Sequence, residues 1–348
     1  MTHALIDGIQ RVSKAPAVLV GVYVITLLAA VPLSIIMHDA IATDLGSSIA
    51  ADDVAFGVNW DWWEEFQSRA TGIARTFNPR IIGFAAVLQN QSNLVDNQLP
   101  RIEVILTVVA YLGVWMFLVG GIIDRLARQR RIATVGFFAA CGTFFFRFCR
   151  LGLLAGVAYW IVFETVHTWL FENLYDAATE NLVVERTAFL IRIGLYATLA
   201  LLLLPINMVF DYAKVRAVVE DRHSMAGAVL AAIRFIWRRP QATVGLYLLN
   251  SGLFLAVLAA YAILAPSPSG GAVSMWIGFA VGQAYVVARL FMKLVFYASQ
   301  TSFFQSQLAH SEYVATPSAV WPDSPAAEAV STVSQINRSV ESTAPARL

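Results

Sequence analysis

Two Glu-x-x-His pairs are the residues best suited by type and spacing to chemistry: Glu164 with His167, and Glu220 with His223. On facing helices of a bundle such pairs can hold two metal ions. Here the first pair falls at the far end of an apolar stretch and the second in a polar segment on the opposite side. They cannot converge, so no metal site is expected. His38 and Asp39 end another apolar stretch on the side of His167, but nothing requires them to meet it. HExxH, GxSxG, Walker A and CxxC patterns are absent. Cys141 and Cys149, eight residues apart, would lie about 12 Å apart on a helix, beyond a disulfide's reach of about 7 Å. They read as packing residues. No catalytic, metal or cofactor residue is assigned, no cofactor is expected, and the chain reads as non-enzymatic.

The polar residues inside apolar stretches are a second set. Asn207, Asn250, Gln283, Arg289 and Lys293 are costly in hydrocarbon and functional by default. Gly278, Gly282, Tyr285, Arg289 and Lys293 recur at i, i+4, i+7, i+11 and i+15, one face of a helix. Gly278-x-x-x-Gly282 allows close helix approach, as does Gly152-x-x-x-Gly156. If that face packs, Arg289 needs a partner, and Asp124 and Asp211 lie at the right depth. The alternative is that Arg289 and Lys293 snorkel to the interface.

The elements that must position these residues are membrane spans. Hydrophobic residues make up 58% of the 348, charged residues only 14%, and mean hydropathy is +0.65. A soluble domain carries about 25% charged residues, which excludes an ordinary soluble protein and a disordered one. A net charge of +1 excludes the overall basic character of a nucleic-acid binder. Six stretches approach the roughly 20 residues needed to cross a bilayer: Ala15–Met37, Val104–Ile123, Leu151–Trp169, Ala188–Phe210, Ala242–Leu264 and Ala272–Tyr297. The first is longer than a signal-peptide core of about 7–15 residues and is read as a retained span.

Basic residues set the orientation. With the N-terminus in the cytoplasm, 18 of the 24 lysines and arginines fall inside and six outside. Acidic residues go the other way, nine inside and 14 outside, so the sides carry about +9 and −8. Both termini are expected in the cytoplasm of a bacterial inner membrane. Two inner segments look alike. Asp124 and Asp211 each end a span and each precede an Arg-Phe pair by 23 residues, Arg147-Phe148 and Arg234-Phe235, at an offset of 87. This suggests an internal repeat. The linking stretches, Thr134–Arg147 and Ser224–Arg239, combine aromatics with Arg147, Arg234, Arg238 and Arg239. Such composition suits helices in the headgroup layer meeting anionic lipid, or residues that simply anchor helix ends.

The outer loop holds Trp60, Trp62 and Trp63 beside Asp61, Glu64 and Glu65. Asp61 can cap a helix, with Glu64 at the capping-box position, and that helix is expected to reach about Phe77. Asn78-Pro79 then restarts it, with an apolar face through Ile81, Phe84 and Leu88. The tryptophans fit a helix lying on the outer leaflet, or a surface for a protein partner or a glycan. A second copy of the chain is a further possible partner, while nucleic acid is not expected. From about Thr316 the chain is rich in Ala, Ser, Pro and Thr and is expected to be disordered. The organisation expected is therefore a cytoplasmic N-terminus (1–14), a first span (15–37), an outer helical loop (38–100), a five-span membrane domain (101–315) and a tail (316–348).

Phe210-Asp211-Tyr212-Ala213-Lys214, Arg234-Phe235 and Ala284-Tyr285-Val286-Val287-Ala288-Arg289-Leu290 resemble uncharacterised multi-pass bacterial integral membrane proteins. These include the membrane domain that accompanies some glycerophosphodiester phosphodiesterases. The likeness covers roughly residues 100–310. It implies a pattern of interfacial helix and span, with no active-site residue and no phosphodiesterase activity. The expected fold is all-α integral membrane: six transmembrane helices, two cytoplasmic amphipathic interfacial helices and a helical outer loop. The expected role is a scaffold or envelope-maintenance protein that touches lipid through those helices. The alternative is a transporter or lipid-translocating protein using polar groups of spans four to six.

Overall fold

The computed structural model describes residues 1–46, 48–78, 92–98, 101–129, 133–265 and 272–310. The expected helix restart at Asn78-Pro79, with its apolar face over residues 81–88, and the tail from Thr316 lie outside the described residues, apart from Asn78 itself. The chain is an all-α multi-pass membrane protein. Among the described residues its elements are α1 (Thr2–Ser13), α2 (Pro16–Leu45), α3 (Ala51–Phe56), α4 (Trp60–Arg69), a 3₁₀ turn (Gly72–Thr76), α5 (Ile102–Arg128), α6 (Thr134–Ile161), α7 (Tyr175–Thr179), α8 (Glu185–Val219), α9 (Met225–Arg238), α10 (Pro240–Leu264) and α11 (Ala272–His310). Two π-helical turns, Val162–His167 and Trp169–Leu174, join α6 to α7 without a break. Six helices are long and apolar enough to cross a membrane: α2, α5, the run from α6 through α7, α8, α10 and α11.

The spans overrun the hydrocarbon layer. At 1.5 Å per residue, α8 and α11 are about 52 and 58 Å long, against a core of about 30 Å. In α8 and α11 the overrun gathers at one end of the bundle, where α1 meets the last turns of α11, whereas α2 and the run from α6 through α7 extend at the other. We call this the terminal end, and the opposite side the loop end. The main core lies there: Leu118 to Leu126 of α5, Cys141 to Leu151 of α6, Met208 to Val218 of α8, Met225 to Ala232 of α9 and Leu290 to Phe303 of α11 all contribute buried side chains. In the most apolar stretch of each span at most 17% of residues are buried. The flanks of the spans are thus left for lipid.

Three devices close the terminal end. Gly120 and Gly121 let α6 press against α5: a Cβ on Gly121 would sit 2.5 Å from the Cys141 Sγ and 2.9 Å from the Phe137 carbonyl oxygen. The α8–α9 hairpin turns at Asp221, whose φ of 48° is left-handed and suits a short polar side chain. Ser224 then caps α9 by accepting from the Gly227 N–H at 3.2 Å. The third device is α1, which buries Ala4, Gly8 and Val12. Gly8 lies directly on the Ser299 backbone of α11. Arg11, its side chain only 8% exposed, donates to Asp7 at 2.7 Å, to Gln305 Oε1 at 2.7 Å and to the Leu126 carbonyl at 3.2 Å. Hydrogen bonds to charged groups are worth about 1.5–3 kcal/mol each. Arg11→Ala is therefore expected to raise amide hydrogen exchange over residues 2–13 by about tenfold or more, while Lys14→Ala, at an exposed position, leaves it unchanged.

Residues 1–14 hold the docked helix α1. Several expectations are corrected here. Thr134–Arg147 is not a separate interfacial helix but the first half of α6. Charge alone does not break a helix, and Arg147 is accommodated by an ion pair. In the second linker, Pro240 lacks the N–H that continuation requires and starts α10 instead. The outer helix ends at Arg69, short of Phe77, and its cap is Asn59, accepting from the Trp62 N–H at 3.0 Å, not Asp61. The hairpins α5–α6 and α8–α9 share an element order, yet Arg147 is buried and Arg234 exposed.

Candidate functional site

On α8, Asn207, Asp211 and Lys214 recur at i, i+4 and i+7 and so share one face. Lys293 and Tyr297 do so on α11, as do Tyr111 and Trp115 on α5. Tyr159 of α6 and Tyr247 of α10 complete the set, so five helices contribute. The Asp211 carboxylate accepts from the Lys214 ammonium at 2.8 Å, their side chains 18% and 30% exposed. The Tyr159 hydroxyl donates to Asn207 Oδ1. The Lys293 ammonium rests 3.3 Å above the Trp115 ring and 5.6 Å from the Tyr111 ring, held by cation–π attraction rather than by a carboxylate. Tyr159, Tyr247, Tyr297 and Lys293 all lie within the electrostatic field of the Asp211–Lys214 pair. The cluster sets two lysines against one carboxylate, with Arg289 one turn from Lys293 on α11. Chemically it can neutralise and hydrogen-bond an acidic group or balance its own buried charge.

Among the anticipated residues, Asn207, Asp211 and Lys293 fall here. Arg289 does not take part in the pairing foreseen for it. It is exposed. Asp211 is held by Lys214, and Asp124 accepts from Arg128 at 2.7 Å. A basic residue three or four positions along the same helix reaches the carboxylate without crossing the bundle. Of Gly152, Gly156 and Gly282 in the small-residue motifs, only Gly152 marks a tight approach. A Cβ on Gly282 or Gly156 would meet nothing within 4 Å, and one on Gly152 meets only the Met116 sulfur at 3.1 Å.

Asn250 is fully buried, and its amide donates to the Leu246 carbonyl at 3.0 Å and to Ser299 Oγ at 2.9 Å. Gln283 accepts from the Tyr23 hydroxyl of α2 at 2.8 Å. It borders an otherwise apolar groove of about 530 Å³ between α2, α10 and α11. Arg147, 9% exposed, donates to Asp221 at 2.6 Å, while Arg234, Arg238 and Arg239 are exposed on and just after α9. At the loop end, Trp62 is buried, stacks on Phe66 at 5.2 Å and donates to Asp44 at 2.9 Å. Trp63 donates to the Phe77 carbonyl at 3.1 Å. Only Trp60 is half exposed. Trp62 and Trp63 thus close a small core over the end of α2, with Trp60 edge-on to Trp63 at its rim. His167 is also buried, between Phe163 and Phe171, and no group of three metal-ligating side chains forms among the described residues.

Lys214, Tyr159, Tyr247, Tyr297 and Trp115 were not anticipated. Lys214 had a signal, the i, i+4, i+7 row with Asn207 and Asp211. The aromatic residues had none, since four other helices bring them in. Comparison of the chain with protein-family models, curated proteins and solved structures finds no match.

Proposed function

We propose that this protein is a non-enzymatic multi-pass protein of the bacterial cytoplasmic membrane, with its terminal end in the cytoplasm, and that it serves as a scaffold in envelope maintenance by engaging anionic lipid. The observation that carries this reading is the two-faced surface of α9. Ala228 and Ala232 are fully buried on one side. On the other, Leu230, Ile233 and Trp237 are 56%, 41% and 84% exposed beside exposed Arg234 and Arg238. Apolar and arginine side chains exposed together on a docked helix suit the headgroup boundary, where each supplies part of the contact. The excess of basic residues at the terminal end supports the orientation. The competing transporter reading needs water at Asn250 or Gln283. Asn250 is fully buried, its amide nitrogen bonded to the Leu246 carbonyl and Ser299 Oγ and its Oδ1 without a partner, while Gln283 borders the groove between α2, α10 and α11, so the lipid reading rests on α9 rather than on these amides.

The test is lipid partitioning around the full chain in nanodiscs of mixed phosphatidylglycerol and phosphatidylcholine. At about 1 kcal/mol per arginine, the triple variant R234Q/R238Q/R239Q should lower preference for the anionic lipid by roughly 100-fold. A wild-type protein that shows no preference between the two lipids would remove the basis for the proposal.

A further inference from the structure

A pocket of about 590 Å³ opens between α6 and the α8–α9 turn, lined by Arg150, Leu153, Leu154, His223, Ser224 and neighbours. The turn that forms one wall is pinned. Arg147 reaches from α6 to the Asp221 carboxylate at 2.6 Å, and the Arg216 guanidinium grips Glu220 through two bonds of 2.7 and 3.1 Å. Arg222 adds a further bond to Glu220. The two acidic residues of the turn are thus already engaged by arginines. Ser224 is spent on capping α9. Arg150 bonds only the Phe146 carbonyl of its own helix, at 3.3 Å, and His223 is exposed beside it. Along α6 toward the loop end, Leu153 and Leu154 are 71% and 39% exposed.

We infer that this pocket seats the phosphate of an acidic glycerophospholipid between Arg150 and His223, with an acyl chain running over Leu153 and Leu154. Charge complementarity selects an anion, because the carboxylates at hand are engaged by other arginines and Arg150 meets a backbone carbonyl rather than a carboxylate. The leucines on the span side select an amphiphile over free phosphate, and the volume is within the range of ligand sites, about 300–1,000 Å³. The inference rests on the lipid-engaging reading above and deepens it to one stoichiometric site distinct from the diffuse surface of α9.

Native mass spectrometry of the full chain released from nanodiscs containing phosphatidylglycerol and phosphatidylethanolamine tests it. The wild type should retain one phosphatidylglycerol. R150Q/H223Q should lower that occupancy by about tenfold or more, as loss of a charge-assisted contact implies, with melting unchanged because both side chains are exposed. R234Q/R238Q/R239Q should reduce bulk enrichment and keep the single bound lipid. If R150Q/H223Q retains the lipid as the wild type does, the pocket inference fails; the broader reading survives if the α9 variant loses enrichment and falls with it if neither variant changes. If excess inorganic phosphate binds at Arg150 and empties the site of lipid, the anion is free phosphate and the phospholipid assignment is overturned.

Discussion

Gly121→Ala should lower the detergent melting temperature of this protein by several degrees, whereas Gly282→Ala should leave it unchanged or slightly raised. Sequence pattern alone ranks them the other way, because Gly282 belongs to a Gly-x-x-x-Gly pair. The added methyl at Gly121 would lie 2.5 Å from the Cys141 sulfur and 2.9 Å from a backbone carbonyl, that of Phe137. Side chains can rotate, but the carbonyl belongs to the opposing helix and yields only if α6 retreats. The neighbouring Gly120, whose Cβ would lie 2.6 Å from that of Phe144, leaves no room to slide. Overpacking of this kind costs about 1–3 kcal/mol, occasionally more. At roughly 2–4 °C per kcal/mol, the loss is about 2–12 °C. At Gly282 the methyl meets nothing, and alanine gains about 0.5–1 kcal/mol of helix preference. Adding Cys141→Ala to Gly121→Ala should restore part of the loss, since the sulfur is one of the two obstacles. Equal melting temperatures for the two single variants would mean that the α5–α6 contact is not what holds the terminal end.

The contrast shows what was legible before the fold was known. Hydropathy found all six spans, because transfer of some 20 apolar residues into hydrocarbon is a local property of the chain. It did not find where helices stop. α2 continues past Met37 to Leu45, and α6 begins at Thr134 rather than at Leu151, because nothing in those sequences breaks a helix. α1 was readable in principle: Ala4, Gly8 and Val12 recur every four residues, the spacing of a buried face. Their small size, however, says nothing of apolar drive, and the receiving surface on α11 is tertiary. At the site, Asp211 and Lys293 were legible as charges at a costly depth. Their partners were not. Lys214 outcompetes Arg289 for Asp211 by proximity along one helix, and Tyr159, Tyr247 and Tyr297 arrive from three other helices whose rotation no periodicity sets. The burial of Trp62 in the outer loop was not legible for a related reason. Exposure depends on what covers a ring, and the end of α2 covers Trp62.

The second large effect is expected at Asp211. Asp211→Ala leaves Lys214 and Lys293, which act on one another, without the one carboxylate that offsets them. Removing one member of a buried ion pair costs about 3–5 kcal/mol. With Asp211 and Lys214 still 18% and 30% exposed, the cost here should be lower, about 2 kcal/mol. Lys214→Ala should cost less, because Lys293 remains to face the carboxylate. The double variant should lose less than the sum, with a coupling of about 1 kcal/mol, while Asp211→Ala and Arg289→Ala should add to within about 0.3–0.5 kcal/mol. Coupling to Arg289 and none to Lys214 would reverse the pairing described here. A third substitution separates charge balance from packing. If the lysines are uncompensated once Asp211 is gone, Lys293→Met in the Asp211→Ala background removes one of two like charges, keeps most of the volume over Trp115, and recovers stability. If it costs stability further, the cation–π contact of Lys293 with Trp115, rather than the balance of charge between α8 and α11, is what the cluster depends on.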